Sequence, residues 1–261
     1  MRIAVIGAGN MGSWLVESLC LDYEVGVYDI NRNRLKYFFN SRKFLYYDEL
    51  LDFQPDMVIN AVSLENTVHV FEEIVPSLPE TCIISDITSV KNGLAQYYKN
   101  CGRRFVSSHP MFGPTFANIK NLSNENAIII TESDEEGKEF FRKYYSSFHL
   151  KIQEYSFREH DEIIAYSLTI PFSSTLVFAS RMKVLDAPGT TFKKHLEIAR
   201  GLLTEDDFLL SEILLNPYSI EQVENINASL SHLIGMIKNK DKAGLKEYFA
   251  VLRKNIGMKS V

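Results

Sequence analysis

A glycine-rich turn near the N-terminus constrains the fold more than any other feature of the chain. The apolar run 2–6 leads into Gly7-Ala8-Gly9-Asn10-Met11-Gly12, and a helical pattern begins at Ser13. A second apolar run, 24–28, ends at Asp29, 22 positions after Gly7. Strand, glycine turn, helix and strand in this order predict a dinucleotide-binding unit, because glycines let the backbone approach a pyrophosphate at the helix N-terminus.

The residues expected to contact the cofactor lie on this turn and on two strand ends. An acid at the end of the second strand accepts hydrogen bonds from ribose hydroxyls and repels the extra phosphate of NADP, so the pattern favours NAD. Arg32 is close enough to weaken that preference, although a solvated place on a helix surface explains it equally well. An ordinary tight turn is the alternative for the glycine pattern alone. The predicted cofactor-binding residues are Gly7, Gly9, Asn10, Met11, Gly12, Asp29, Val62 and Ser63.

Apolar runs and helical patterns alternate up to residue 155, and helical periodicity alone follows. The alternation predicts a Rossmann-type, doubly wound and mainly parallel sheet over 1–155. The remainder, 156–261, is expected to be a smaller all-helical domain for substrate binding and dimerisation. Pro171 should kink or divide a long helix over 160–182. Some apolar surface of these helices is expected to face a second subunit, which predicts a homodimer.

Charge and cysteine usage exclude several classes of partner. The chain has 28 Lys+Arg and 33 Asp+Glu, a net charge of −5, without a basic block, which argues against nucleic acid and anionic membranes. Its three scattered cysteines indicate neither a disulfide framework nor a zinc site. The first apolar run is too short for a signal peptide, and the stretch 167–180 falls short of the ~20 residues of a membrane span. A soluble cytoplasmic protein acting on a small molecule, without a bound metal, is expected.

The predicted catalytic residue is a histidine at the end of a later strand. His109 lies in Ser107-Ser108-His109-Pro110-Met111-Phe112-Gly113-Pro114, directly after a short apolar run, and is expected where the strand ends and a Pro- and Gly-fixed loop begins. Ligands of open α/β sheets bind at strand ends, and histidine, with a pKa near neutrality, suits proton transfer. Ser89 follows the preceding strand, and strand ends of a parallel sheet share one edge, so its hydroxyl can approach the imidazole. For Ser89 a helix N-cap is the structural alternative.

Four segments together resemble the prephenate dehydrogenase family: the glycine turn, Asp86-Ile87-Thr88-Ser89-Val90-Lys91, the segment 108–114 and the pair His160-Asp161. The resemblance implies NAD-dependent oxidative decarboxylation of prephenate to 4-hydroxyphenylpyruvate, a step toward tyrosine. By the same matching, His109 takes up the proton of the ring hydroxyl. Ser89 corresponds to the family serine that hydrogen-bonds the histidine and the substrate.

Two positions depart from the family pattern. Phe172 stands where many members have a histidine, and Glu197 or Gly201 falls near the place of a common arginine. A dicarboxylate substrate still needs cations, because a buried unpaired carboxylate is costly. The nearest candidates are Lys193, Lys194 and Arg200, each of which could equally be a solvated helix charge.

The sequence leaves several functions open. Arogenate differs from prephenate at the side chain that these basic residues would contact, so arogenate dehydrogenase is one alternative. A β-hydroxyacid or pyrroline-carboxylate type reductase also begins with a Gly-x-Gly-x-Met-Gly turn, but the loop around His109 argues against it. A regulatory protein that binds NAD without turnover is the third; Phe172 leaves it open, but the Pro- and Gly-framed His109 would then have no purpose. For His160 the residues suggest only an anchor of the domain junction through a side-chain hydrogen bond.

Overall fold

A computed structural model describes residues 1–113, 121–183 and 185–258. Its centre is an eight-stranded sheet of order β3-β2-β1-β4-β5-β6-β7-β8. Neighbouring strands are parallel except β6 and β7, which are antiparallel. The predicted doubly wound, mainly parallel sheet is therefore confirmed. The strands are β1 Arg2–Ile6, β2 Glu24–Tyr28, β3 Arg42–Phe44, β4 Met57–Asn60, β5 Ile83–Asp86, β6 Phe105–Pro110, β7 Asn126–Ile130 and β8 Lys151–Tyr155.

Both faces of the sheet are covered, and the central strand shows why its sequence is continuously apolar. Along β1, Ile3 and Val5 belong to one hydrophobic cluster and Ala4 and Ile6 to the other, and none of the four is exposed. Successive side chains of a strand point to opposite faces. Burial on both faces favours an apolar residue at every position of β1, as is usual in parallel sheets.

Twelve α-helices accompany the strands in the described part of the chain. They are α1 Asn10–Leu19, α2 Arg32–Leu35, α3 Glu49–Phe53, α4 Thr67–Ile74, α5 Leu94–Cys101, α6 Glu135–Ser147, α7 Phe157–Ile164, α8 Ile170–Arg181, α9 Thr190–Leu202, α10 Asp207–Leu214, α11 Ser219–Lys238 and α12 Lys242–Asn255. Short 3-10 turns, Leu64–Asn66 and Val75–Ser77, flank α4.

The long helix predicted over 160–182 is continuous, which corrects the expected break at Pro171. A π-helical turn, Ala165–Thr169, joins α7 to α8, and Pro171 lies in the first turn of α8. Proline has no N–H to donate, so the backbone hydrogen bond of a regular α-helix is missing at this position, directly after the π-helical turn. The wider π-helical turn before it supplies the irregularity that was expected at the proline itself.

Contacts group the chain into two compact units, 1–164 with 203–213, and 165–202 with 214–261. The first unit contains the whole sheet. It extends nine residues beyond the predicted division after residue 155, because α7 packs on β7 and β8. In the second unit α11 packs on α8 and on the π-helical turn, and the Thr169 and Ser219 hydroxyls lie 2.6 Å apart.

The helical run Phe157–Arg181 has 25 residues and a mean hydropathy of 1.5 in its most apolar window. By length and composition alone it could cross a membrane. The sequence indicates only the stretch 167–180, which is too short for a span, and the observed length corrects this. Core helices of soluble proteins pass the same test, so one such run is weak evidence for a membrane.

Candidate active site

The glycine turn lies at the carboxyl end of β1 and leads directly into α1. Gly7 has a φ of 99°, and its N–H donates to the carbonyl of Tyr28 at 2.8 Å. A Cβ added at Gly7 would come within 2.7 Å of the carbonyl oxygen of Ala61, and one at Gly12 would overlap the Gly7 carbonyl. At Gly9, by contrast, an added Cβ has nothing within 4 Å. Two glycines are thus required by packing, whereas the third borders open space at the helix N-terminus, where backbone N–H groups lack helical partners.

Asp29 joins the end of β2 to this turn. Its carboxylate accepts the Ala8 N–H at 2.7 Å and the Asn31 N–H at 2.7 Å, and the side chain is almost fully buried. The cation near Asp29 is Arg34, with Nη1 3.4 Å from the carboxylate. Arg32 instead lies over the ring of Tyr46, 5.2 Å from its centroid. Arg34, and not Arg32, is therefore the cation placed to weaken a preference for NAD over NADP.

The end of β4 borders the glycine turn. The Ala61 N–H donates to the carbonyl of Ile6 at 2.7 Å, and Ile6 and Asn60 are register partners. The Asn60 amide donates to the Thr67 carbonyl at 2.9 Å and so fixes the turn that contains Val62 and Ser63. Val62 is half-buried and Ser63 is exposed. Strand order reverses between β1 and β4, and the crevice at such a reversal is where doubly wound sheets bind dinucleotides.

A buried polar network lies at the end of β5, next to β6. Asp86 accepts hydrogen bonds from the Lys91 ammonium at 2.6 Å, the Thr88 hydroxyl at 2.8 Å and the Tyr98 hydroxyl at 2.7 Å. Burial alone would raise the pKa of the Asp86 carboxyl, but Lys91 and the hydrogen bonds outweigh it, and the pKa lies below its ordinary value. Lys91 also donates to the Ser108 carbonyl at 2.7 Å, which fixes the backbone that precedes His109.

His109 belongs to β6 rather than to the loop after it, which corrects the expected place. The strand continues to Pro110 because 108–110 pair with β7. Asp86, the last residue of β5, is in register with Ser107, so His109 still extends past the end of β5. It is 6% exposed. The predicted loop reaches Pro114, which lies outside the described residues.

The hydrogen-bond partner of His109 in the described chain is His160. His109 Nδ1 and His160 Nε2 are 3.0 Å apart, and His160 Nδ1 lies 3.1 Å from the Asp161 carboxylate. The suggested anchoring bond of His160 is therefore directed to His109. Burial lowers the pKa of His109 well below 6.5, and His160 and Lys91 lower it further. Burial also lowers the pKa of His160, although the hydrogen bond to Asp161 opposes this effect. The lowered pKa values favour the neutral form of both rings at pH 7.

The other predicted site residues are placed as follows. Ser89 is half-buried on the turn after β5, and the described chain contains no hydrogen bond between it and His109. It is not a helix N-cap, because α5 begins at Leu94 with Gly93 in that position. The three candidate cations for substrate carboxylates are exposed on α9: Lys193, Lys194 and Arg200.

The sheet order, the glycine turn and the buried acid define a doubly wound protein with a dinucleotide-type nucleotide-binding site. The family model described as "Prephenate dehydrogenase, nucleotide-binding domain" matches residues 45–151. With this match, the resemblance of the chain to the prephenate dehydrogenase family is confirmed.

Individual proteins that are similar to this chain have names from the same family. The "Probable arogenate/prephenate dehydrogenase" of Methanocaldococcus jannaschii is 24% identical over 219 residues, 77% of this chain and 48% of that protein. The chain spans about half the length of the curated relatives it matches. A crystal structure of prephenate dehydrogenase from Aquifex aeolicus, in complex with hydroxyphenyl propionate and NAD+, has a TM-score of 0.83 at 19% identity, covering 98% of this chain and 96% of that one. Synechocystis arogenate dehydrogenase has a TM-score of 0.78 at 17% identity, covering 98% of each chain. At these identities the two structures establish the fold.

Proposed function

We propose that this protein is an NAD-dependent dehydrogenase that oxidatively decarboxylates prephenate to 4-hydroxyphenylpyruvate. The observation that carries the proposal is His109: a buried, neutral imidazole beyond the end of β5, on the same sheet edge as the glycine turn. A neutral imidazole at a ligand-binding edge can accept a proton from a substrate hydroxyl. The complex of the Aquifex aeolicus enzyme with NAD+ and a hydroxyphenyl compound supports the same chemistry.

The residues present fit a dinucleotide. The open space at Gly9 would admit a pyrophosphate against the N-terminus of α1, where a side chain would block it. Asp29 would accept the hydroxyls of the adenosine ribose in addition to its two backbone donors. The turn with Val62 and Ser63, beside the strand reversal, would contact the rest of the dinucleotide. When bound, NAD would accept the hydride that leaves the hydroxyl-bearing ring carbon of the substrate.

His109 would take the proton of that hydroxyl, so that the carbon can become a carbonyl as the hydride leaves. Aromatisation of the ring then favours release of carbon dioxide from the ring carboxylate. Ser89 would hydrogen-bond the substrate and the imidazole once substrate is bound. Lys193, Lys194 and Arg200, exposed in this structure, would supply cations for the two carboxylates.

Oxidation of arogenate is the second candidate function. The names of the Methanocaldococcus jannaschii protein and of the Synechocystis structure favour it. An imine reductase from Bacillus cereus has a similar fold, with a TM-score of 0.54 at 14% identity. This likeness concerns the fold and not the substrate. A regulatory protein that binds NAD without turnover stays the alternative if catalysis is absent.

The test is an assay of NADH or NADPH formation by the purified protein with each substrate and each dinucleotide. We expect reduction of NAD with prephenate. Turnover of arogenate alone would establish the second candidate, and no reduction in any combination would favour the regulatory protein.

We also propose that the protein is cytoplasmic and forms a homodimer through the second unit. Several large apolar side chains of α11 and α12 are exposed, among them Ile220, Leu230, Ile237 and Phe249. Light scattering at micromolar concentration would give twice the monomer mass of 29.9 kDa if this is correct.

A further inference from the structure

The hydrogen bonds of two histidines and one carboxylate determine which nitrogen of His109 is free. An ionised carboxylate only accepts, so the Asp161 contact requires the proton of His160 to lie on Nδ1. A neutral imidazole has a single N–H, and therefore Nε2 of His160 accepts. His109 must then donate from Nδ1 across the 3.0 Å contact. Its Nε2 is left with a lone pair, which is the form that a general base needs.

We propose that His160 and Asp161 are positioning residues that form a proton relay behind His109. The inference rests on the proposed function, in which His109 Nε2 takes the proton of a substrate hydroxyl. As Nε2 gains that proton, the Nδ1 proton of His109 passes to Nε2 of His160, which becomes an imidazolium paired with the Asp161 carboxylate. When carbon dioxide has left, the ring oxygen carries the electron pair of a phenolate. The two transfers then reverse and return one proton to this oxygen, so the relay ends each turnover unchanged.

The surrounding charges favour holding the proton on His160 rather than on His109. The Asp161 carboxylate bonds to His160, while the Lys91 ammonium disfavours a positive charge on either ring. The Asp86 carboxylate, which also favours a charge on His160, is engaged by Lys91 and Tyr98. Burial is the largest cause that lowers the pKa of both rings, and only His160 has a carboxylate partner to oppose it. A proton accepted at His109 therefore has a more favourable place one ring further from the substrate.

Two variants separate the orienting role from the relay. In Asp161→Asn the amide can donate to His160 Nδ1, which reverses both hydrogen bonds and places a proton on Nε2 of His109. In His160→Gln the side-chain carbonyl can still accept from His109 Nδ1, but glutamine cannot take up a proton. Glu162→Gln is the matched control, because it removes the next acid of the same helical segment, which pairs with Arg158 on the surface.

We expect kcat to fall ~10⁴-fold in Asp161→Asn, as when the orienting carboxylate of a catalytic triad is replaced by an amide. His160→Gln should lose ~10²-fold, the lower end for loss of assisted proton transfer. KM for the substrate and the Kd of NADH should stay within about twofold in both, and Glu162→Gln should match the parent. A parental kcat in both folded variants would overturn the relay.

The imidazole nitrogens provide a readout that needs no substrate. Nitrogen-15 NMR, assigned with single histidine variants, should show His109 protonated on Nδ1 in the parent and on Nε2 in Asp161→Asn. A parent His109 protonated on Nε2 would overturn the inference. If the parent tautomer is as expected but no substrate is turned over, the proposed function fails while the hydrogen-bond chain is supported; if turnover occurs and Asp161→Asn leaves the tautomer unchanged, the relay fails alone.

Discussion

The ammonium of Lys91 and the carboxylate of Asp86 lie 2.6 Å apart, and neither side chain is exposed to solvent. Because Lys91 also donates to the Ser108 carbonyl, this pair links the end of β5 to the residue before His109. Buried ion pairs recover their desolvation cost only when further hydrogen bonds satisfy them. Thr88 and Tyr98 supply such bonds to Asp86, which explains why the pair can persist in the core.

Replacement of Lys91 by methionine should therefore destabilise the fold strongly. The variant keeps the apolar stem but leaves the Asp86 carboxylate buried without its cation. We expect a loss of ~3–5 kcal/mol in the free energy of unfolding, measured by urea denaturation. Lys91→Met combined with Asp86→Asn should recover part of this loss, since the uncompensated charge is gone. An unchanged unfolding midpoint in the single variant would contradict the prediction.

Alanine at Gly12 should lower stability, whereas alanine at Gly9 should lower the affinity for the dinucleotide. A Cβ at Gly12 overlaps the carbonyl of Gly7, so Gly12→Ala should lower the melting temperature. A Cβ at Gly9 meets nothing within 4 Å, so Gly9→Ala should keep the parental melting temperature but occupy the proposed pyrophosphate site. We expect it to weaken NADH binding at least about tenfold, ~1.4 kcal/mol, by calorimetry. Parental NADH affinity of Gly9→Ala would place the dinucleotide elsewhere.

The strands that the sequence predicts are those whose signals are local. The apolar runs 2–6 and 24–28 coincide with β1 and β2, because strands buried on both faces are mostly apolar. The edge strand β3 was missed, since two of its three residues, Arg42 and Lys43, are charged and exposed. The division between the compact units was also displaced, because whether α7 packs on the sheet depends on tertiary contacts that periodicity does not encode.

Among the site residues too, the sequence predicts only those contacts that a local motif brings about. The glycine turn and Asp29 are 22 positions apart in one βαβ unit, so their meeting follows from a local motif. His109 and His160 are separated by 51 positions, and nothing in either segment predicts that they meet. The same holds for Arg34: only the structure distinguishes it from Arg32, because both lie on the short helix α2.

Asp134 should contribute a pH-dependent part of the stability. Its carboxylate caps α6 by accepting the Glu136 N–H and pairs with Arg104, whose hydrogen bond is the largest cause that lowers the pKa of Asp134. The folded pKa lies below the unfolded value of about 3.9, so this stabilisation is present above pH 4 and lost as the pH falls through the folded pKa.

Asp134→Asn keeps an N-cap but cannot titrate, so it should cost up to about 1 kcal/mol at pH 7. Urea titrations at several pH values should show the difference between parent and variant shrinking toward pH 3. A difference that is constant with pH would show that the ion pair contributes nothing.

The pair of Asp29 and Arg34 should set the choice between NAD and NADP. In the parent, the buried carboxylate would repel a 2′-phosphate and engage the guanidinium 3.4 Å away. Asp29→Asn removes the repulsion and frees Arg34 to pair with the phosphate. The ratio of the Kd values of NADPH and NADH should fall at least about tenfold, ~1.4 kcal/mol, by calorimetry. Adding Arg34→Gln should reverse the gain for NADPH, whereas adding Arg32→Gln should not, because Arg32 lies over Tyr46.

Replacement of His109 by asparagine should separate catalysis from binding. Asparagine keeps a side-chain donor and acceptor near the position of Nδ1 but has no basic nitrogen in place of Nε2. We expect kcat to fall ~10²–10⁴-fold, the usual effect of losing a general base. NADH affinity should be parental, since the glycine turn and Asp29 are untouched. The variant should still fold, because the asparagine amide can donate to Nε2 of His160 in place of His109 Nδ1. Stopped-flow measurement of NADH formation gives the rate of the chemical step directly. If that rate is parental in a folded variant, another group accepts the proton.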